Sequence, residues 1–337
     1  MDEVLLHQRD KKWPISRVSS RSCMTLVLRD RFAPMLAAFF TALCWSISAM
    51  CSARAAKHLG GQTANRTRLF MAAGLLLGVM AVVEGLSALA RPPAATPWFV
   101  LSGAVGLGLG DICLFCAYIR LGPRLPAILT HCVATPLGVL AEWLWLGNAL
   151  TGGEIACIAV ILGGVALALW PDHLASGPEA TRRKYLSGIL FGLGSAIGMA
   201  GAAVISRRGY AVDAHYFWID ATVWRNAGGL AVTCLLWLAT RTVRQVQGTV
   251  SPRKDWRRAW PWLVGTAVLG PTIGVACYQI ALQDLQAGQV QAVVALVPVM
   301  IIPMAWWLDG DRPSWRSLAG GLIGVAGVVW MALLHVA

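Results

Sequence analysis

Four ionisable side chains stand in otherwise apolar stretches. Asp111 follows Gly106, Gly108 and Gly110 in one of them, and His131 lies five residues before Pro136 in the next. Arg68 and Arg225 stand near the starts of two others. A charge in hydrocarbon costs about 2.5–3.5 kcal/mol on insertion scales, so each needs a partner or a task. The glycines before Asp111 permit a close helix approach or a kink, and with it a cavity beside the carboxylate. Asp111 therefore reads as a proton-coupling or cation-binding group, or as a carboxylate bonded to a neighbouring helix. A proline frees the carbonyl four residues earlier, here that of Cys132, so a polar pocket near His131 is expected if this histidine is not a packed structural one. Arg68 and Arg225 read as helix-end charges on lipid phosphate, with an ion pair or a lure for a substrate carboxylate as the sharper alternative. Glu84 and Glu142, near segment ends, read as solvated carboxylates. Asp111, Cys113, Cys116, His131 and Cys132 form a rival constellation of soft-metal ligand types, although cysteine is also common buried filler.

The elements that carry these residues are apolar throughout. The chain is 57% apolar and 13% charged, well below the ~25% charge of soluble domains. Its net charge of +12 comes from Lys and Arg placed in short breaks between apolar runs. That placement indicates membrane topology and phospholipid contact rather than nucleic acid. The nine Cys lie mostly inside apolar runs, as small hydrophobes rather than a disulfide framework. Ten apolar segments are expected to span: 32–53, 69–89, 98–119, 125–146, 153–170, 186–206, 218–240, 260–282, 287–308 and 315–335. Continuous hydrophobicity makes them helices and excludes barrel strands.

The stretch 121–170 recurs near 288–334. Each copy has a proline at mid-length (Pro136, Pro298) and a polar turn (Gly147-Asn148, Gly310-Asp311), at a near-constant offset of about half the chain. Five helices per half is an odd number, so the second half enters from the opposite side. The expected fold is an all-α polytopic membrane protein with ten transmembrane helices in a 5+5 inverted-topology repeat. Its parts are a disordered basic extension at 1–31, a first repeat at 32–170, a linker at 171–185 and a second repeat at 186–337. Met24 is a candidate alternative start. In this register His131 faces Val293 or Val294 in the second copy, and Asp111 faces Gly274. Most of the Trp residues, such as Trp98 and Trp260, sit at segment ends as an interfacial belt. The glycines 163, 164, 320, 324 and 327 read as packing devices.

Several short patterns occur in order. Ala42-Leu43-Cys44-Trp45-Ser46 leads to Lys57, and Arg68 opens an R-L-F-x-A-A setting that Arg225 echoes. Gly110-Asp111 precedes Phe115, Tyr278 precedes Ala281-Leu282, and the two turns end in Leu150-Thr151 and Pro313-Ser314. With these patterns the chain resembles the drug/metabolite transporter superfamily in its ten-helix EamA-like form, over about 34–334. Asn148 and Asp311 stand where the family's turn has Glu. The resemblance implies a multi-pass protein of the inner (plasma) membrane that exports amino acids, metabolites or toxic organic compounds, with no cofactor. It places Trp45, Tyr278 and Gln279 on cavity-lining helices, where aromatic walls suit apolar or amphipathic solutes. It also implies both termini in the cytoplasm, whereas the excess of Lys and Arg in the loops after odd-numbered helices places them outside.

The expected partners are a small-molecule solute and membrane lipid, with no nucleic acid, in a monomer or homodimer. The expected mechanism is alternating access, with Asp111 as the candidate group for proton coupling. No phosphate-binding loop, H-E-x-x-H or G-x-S-x-G pattern is present to suggest an enzyme. A soft-metal transporter and a non-transporting membrane scaffold are the alternatives.

Overall fold

The structure is a computed structural model. It describes residues 20–85, 89, 93–146, 151–168, 179–246, 254–285, 287–309 and 314–334. The two polar turns at 147–148 and 310–311 and most of the stretches 1–31 and 171–185 lie outside these residues.

The described chain is helical. The first half holds α1 (Ser20–Leu59), α2 (Gly61–Val83), α3 (Thr96–Gly103), α4 (Asp111–Leu121), α5 (Arg124–Leu146) and α6 (Gly152–Ala168). The second holds α7 (Glu179–Val212), α8 (Trp218–Val246), α9 (Trp256–Ala267), α10 (Val275–Asp284), α11 (Ala287–Val294), α12 (Val297–Asp309) and α13 (Trp315–Leu334). A π-helical turn, Ala104–Gly110, joins α3 to α4, and a second, Val268–Gly274, joins α9 to α10. With α3–α4, α9–α10 and α11–α12 each taken as one rod, there are five rods in each half among the described residues. Six stretches are long and apolar enough to cross a membrane: Ala33–Leu59, Gly61–Val83, Thr96–Leu121, Arg124–Ala141, Arg182–Val212 and Trp256–Asp284. Large apolar side chains such as Val82, Leu190 and Trp307 point outward, as a lipid-facing surface requires. The chain is an all-α polytopic membrane protein built from two repeats.

Several helix limits differ from those expected. α1 begins at Ser20, so it takes in part of the stretch expected to be disordered, and ends at Leu59, just before Gly60. At Gly60 φ is +79°, and its N–H donates to the Ala56 carbonyl at 2.9 Å. α2 starts at Gly61, two turns before the expected start at 69. α8 continues to Val246, past the expected end at 240. α9 starts early because the Asp255 carboxylate caps it, accepting from the Arg258 N–H at 3.1 Å. The ninth expected helix is broken between Val294 and Val297, and Pro298 falls in the first turn of α12, where no N–H is needed. Pro136 instead lies inside an unbroken α5. The two prolines, matched in the sequence, therefore take different positions in their helices.

The halves interlock. α1 packs on α9, α10 and α12, α5 on α7, α3 on α8, and α6 on α13. Close backbone approach fixes two of these contacts. A Cβ on Gly103 of α3 would lie 1.8 Å from the Arg225 carbonyl, and one on Gly228 of α8 would lie 2.0 Å from that of Val100. Gly164 and Gly320 do the same for α6 and α13, with a Cβ on Gly164 meeting the Gly324 nitrogen at 2.5 Å. Gly163 has nothing within 4 Å and belongs to no such contact.

Candidate functional site: a charged chamber between the halves

The α3–α8 crossing sets Arg225 beside the first π turn. A Cβ on Gly106 would lie 3.4 Å from an Arg225 terminal nitrogen, and one on Gly270 of the second π turn 3.0 Å from one of Arg68. Each arginine thus sits against the π turn of the opposite half, and each lies over a ring. Arg68 stacks on Phe115 at 4.9 Å and Arg225 on Tyr278 at 5.6 Å. Glycines allow the guanidinium groups this near the backbone. In the second turn, Thr272 returns a hydrogen bond to the Ala267 carbonyl at 2.9 Å.

Between them lies a cavity of about 90 Å³, smaller than the ~300 Å³ of drug-sized sites. Trp45, Arg68, Asp111, His131, Arg225 and Tyr278 all line it. Six residues singled out from the sequence therefore meet at one place. Gln279, Pro136 and Pro298 do not line it. Gln279 is fully buried beside Tyr278, and neither atom of its side-chain amide has a hydrogen-bond partner among the described residues.

The two arginines are held differently. Arg68 forms an ion pair with Asp111, and its Nε donates to the Asn65 Oδ1 at 2.9 Å. Asn65 in turn donates to the Leu107 carbonyl in the π turn at 3.2 Å. Arg68 is 5% exposed, so it is a buried structural partner of Asp111 and not the helix-end lipid anchor that the sequence suggested. Arg225 is 4% exposed, and its Nη1 reaches the Ser206 Oγ at 3.5 Å. Its Nε has no hydrogen-bond partner among the described residues. The π turns also correct the repeat register. Gly110 and Gly274 each close a turn, so Asp111 corresponds to Val275 rather than to Gly274.

Trp45 forms the aromatic wall, 5.1 Å from Tyr278 and 6.0 Å from His131 between ring centroids. The His131 Nδ1 has no partner among the described residues. Gln291 of α11 donates to the Tyr278 hydroxyl at 3.0 Å. Ser48 and Ser52 meet the Thr266 hydroxyl at 3.0 and 2.6 Å, and Asn226 donates to the Leu69 carbonyl at 3.1 Å. None of these polar supports was singled out in the sequence. The i,i+4 spacing of Ser48 and Ser52 is the one available signal. The soft-metal constellation does not assemble: Cys113 packs on Gly194, Cys132 lies toward Gly324, and Asp111 pairs with Arg68. No three His, Cys, Asp or Glu side chains gather among the described residues. Glu84 is exposed, and the Glu142 side chain lies outside the described set.

Comparison with known proteins agrees with this architecture. A solved crystal structure superposes with a TM-score of 0.62 over 90% of this chain and 98% of that one, at 21% identity, which is a likeness of fold. Two relatives carry the name "Probable 4-amino-4-deoxy-L-arabinose-phosphoundecaprenol flippase subunit ArnE". The one from Pseudomonas paraeruginosa (strain DSM 24068 / PA7) is 36% identical over 72 residues, 21% of this chain and 60% of that protein. The one from Pseudomonas aeruginosa (strain UCBPP-PA14) is 36% identical over 73 residues, 22% of this chain and 61% of that protein. The match thus spans about 60% of the relatives' length. Residues 33–170 and 186–333 each match the EamA-like transporter family. The chain belongs to the EamA-like transporter family.

Proposed function

We propose that the chain is a secondary active exporter of small organic metabolites, working in the cell (inner) membrane as a monomer or homodimer. The observation that carries this reading is the chamber between the halves, where Asp111, two arginines and an aromatic wall converge. A chamber this small must open for a solute to pass, and two interlocked repeats can do so by rocking to either side. Asp111 is the coupling group in this scheme. It pairs with Arg68, while Arg225, His131 and Tyr118 line the same cavity, so protonation of Asp111 would loosen one half's arginine when the solute moves. The carrier has no catalytic step. In proteoliposomes with an imposed pH gradient, Asp111→Asn is expected to abolish the pH dependence of solute flux. Unchanged flux and pH dependence would remove Asp111 from coupling.

A second reading is favoured by the likeness to proteins named as flippase subunits. The chamber would then hold the head of a lipid-linked solute, with the tail in the bilayer.

A further inference from the structure

We infer that the solute group bound in the chamber is an oxyanion, a carboxylate or phosphate on a small organic body, and that Arg225 reads it. The inference rests on the chamber being the solute site and adds the chemical class of the solute. Two guanidinium groups and one carboxylate line the cavity. Arginine stays protonated in proteins, so the set is one positive charge in excess. Asp111 and Asn65 satisfy Arg68. The matching position in the second half is Val275, which lines the same chamber and carries no charge. Arg225 is left with a long contact to Ser206, a ring face and a buried Nε without a partner among the described residues. A buried, under-bonded guanidinium is costly, and an incoming oxyanion supplies its missing bonds and the missing charge together. Its planar fork suits carboxylate and phosphate alike. Trp45 and Tyr278, 5.1 Å apart, leave an aromatic surface for the organic body of the ligand.

A free organic anion and a lipid phosphate share this chemistry, and the test separates them. The full chain in neutral detergent would be titrated with benzoate, phenyl phosphate or dioleoyl phosphatidylglycerol, with uncharged benzamide as control, and saturable thermal stabilisation read out. At least one oxyanion is expected to bind at least tenfold more tightly than benzamide. Benzoate or phenyl phosphate as the binder indicates a soluble source, and phosphatidylglycerol alone a lipid head. Arg225→Gln should weaken that binding by about 30-fold or more, the lower range for removing one partner of a buried charge pair, and Arg225→Lys should weaken it less. Val275→Asp keeps the arginine but supplies an internal carboxylate, and should also abolish oxyanion binding. The inference fails if benzamide binds as well as the oxyanions, if no oxyanion binds the folded protein, or if Arg225→Gln and Val275→Asp bind them undiminished. Transport of an uncharged solute unaffected by Arg225→Gln would overturn the inference and leave the transporter reading intact. Oxyanion binding through Arg225 without any flux in proteoliposomes would do the reverse.

Discussion

At the scale of single residues, the chamber is governed by where its charges find partners. Arg68 and Asp111 are a buried pair held further by Asn65. Removing one member strands the other, at a cost of about 3–5 kcal/mol, while removing both costs less than the sum. Arg68→Ala and Asp111→Ala are therefore each expected to lower stability in detergent by that amount, with a double variant clearly less damaged than additivity requires. Additive losses in chemical unfolding would show that the two do not act as a pair. The sequence made these residues conspicuous, because a charge in an apolar run stands out. It did not place Arg68 correctly, because the apolar run begins at Leu69 while the helix begins at Gly61. Polar residues of the first two turns look like a loop, so a buried arginine looked interfacial. The partners Asn65, Ser206 and Gln291 are uncharged and common in loops, and only their three-dimensional neighbours mark them.

At the scale of elements, bare backbone contacts decide which helices meet. A Cβ at Gly164 collides with α13, whereas one at Gly163 meets nothing within 4 Å. Gly164→Val should cost about 1–3 kcal/mol through overpacking, and Gly163→Val on the same helix should be far milder. Thermal unfolding of the two variants checks this, and equal losses would contradict the α6–α13 packing described. Gly103→Val should be worse still for function, because the intruding side chain meets the Arg225 backbone and displaces that arginine from the chamber. Loss of flux exceeding loss of stability is the expected signature. The helices themselves were legible, since long apolar runs leave the backbone no alternative in lipid. The two π turns were not. Their glycines fit helix packing equally well, and a shift from i→i−4 to i→i−5 bonding leaves no periodic trace in seven residues. Missing them shifted the repeat register by one residue at Asp111. The break at 295–296 was hidden in the same way behind the more obvious Pro298.

At the scale of the whole molecule, the chain is a duplicated scaffold with unequal chemistry. The matched prolines and turns gave away the duplication, and five rods per half set the two copies against each other. Each arginine reaches across to the other half's π turn, so the chamber exists only when both halves are present. One copy keeps a carboxylate, Asp111, and the other a valine, Val275, and this difference gives the chamber its sign. In the proposed function the chamber is the solute path and opens alternately to each side. Its most direct test needs no knowledge of the solute. Ser48, which lines the chamber, is changed to Cys in a background with the nine native cysteines replaced. A membrane-impermeant methanethiosulfonate is then applied to right-side-out and to inside-out vesicles. Modification from both sides is expected; modification from one side alone or from neither would rule the chamber out as an alternating solute path.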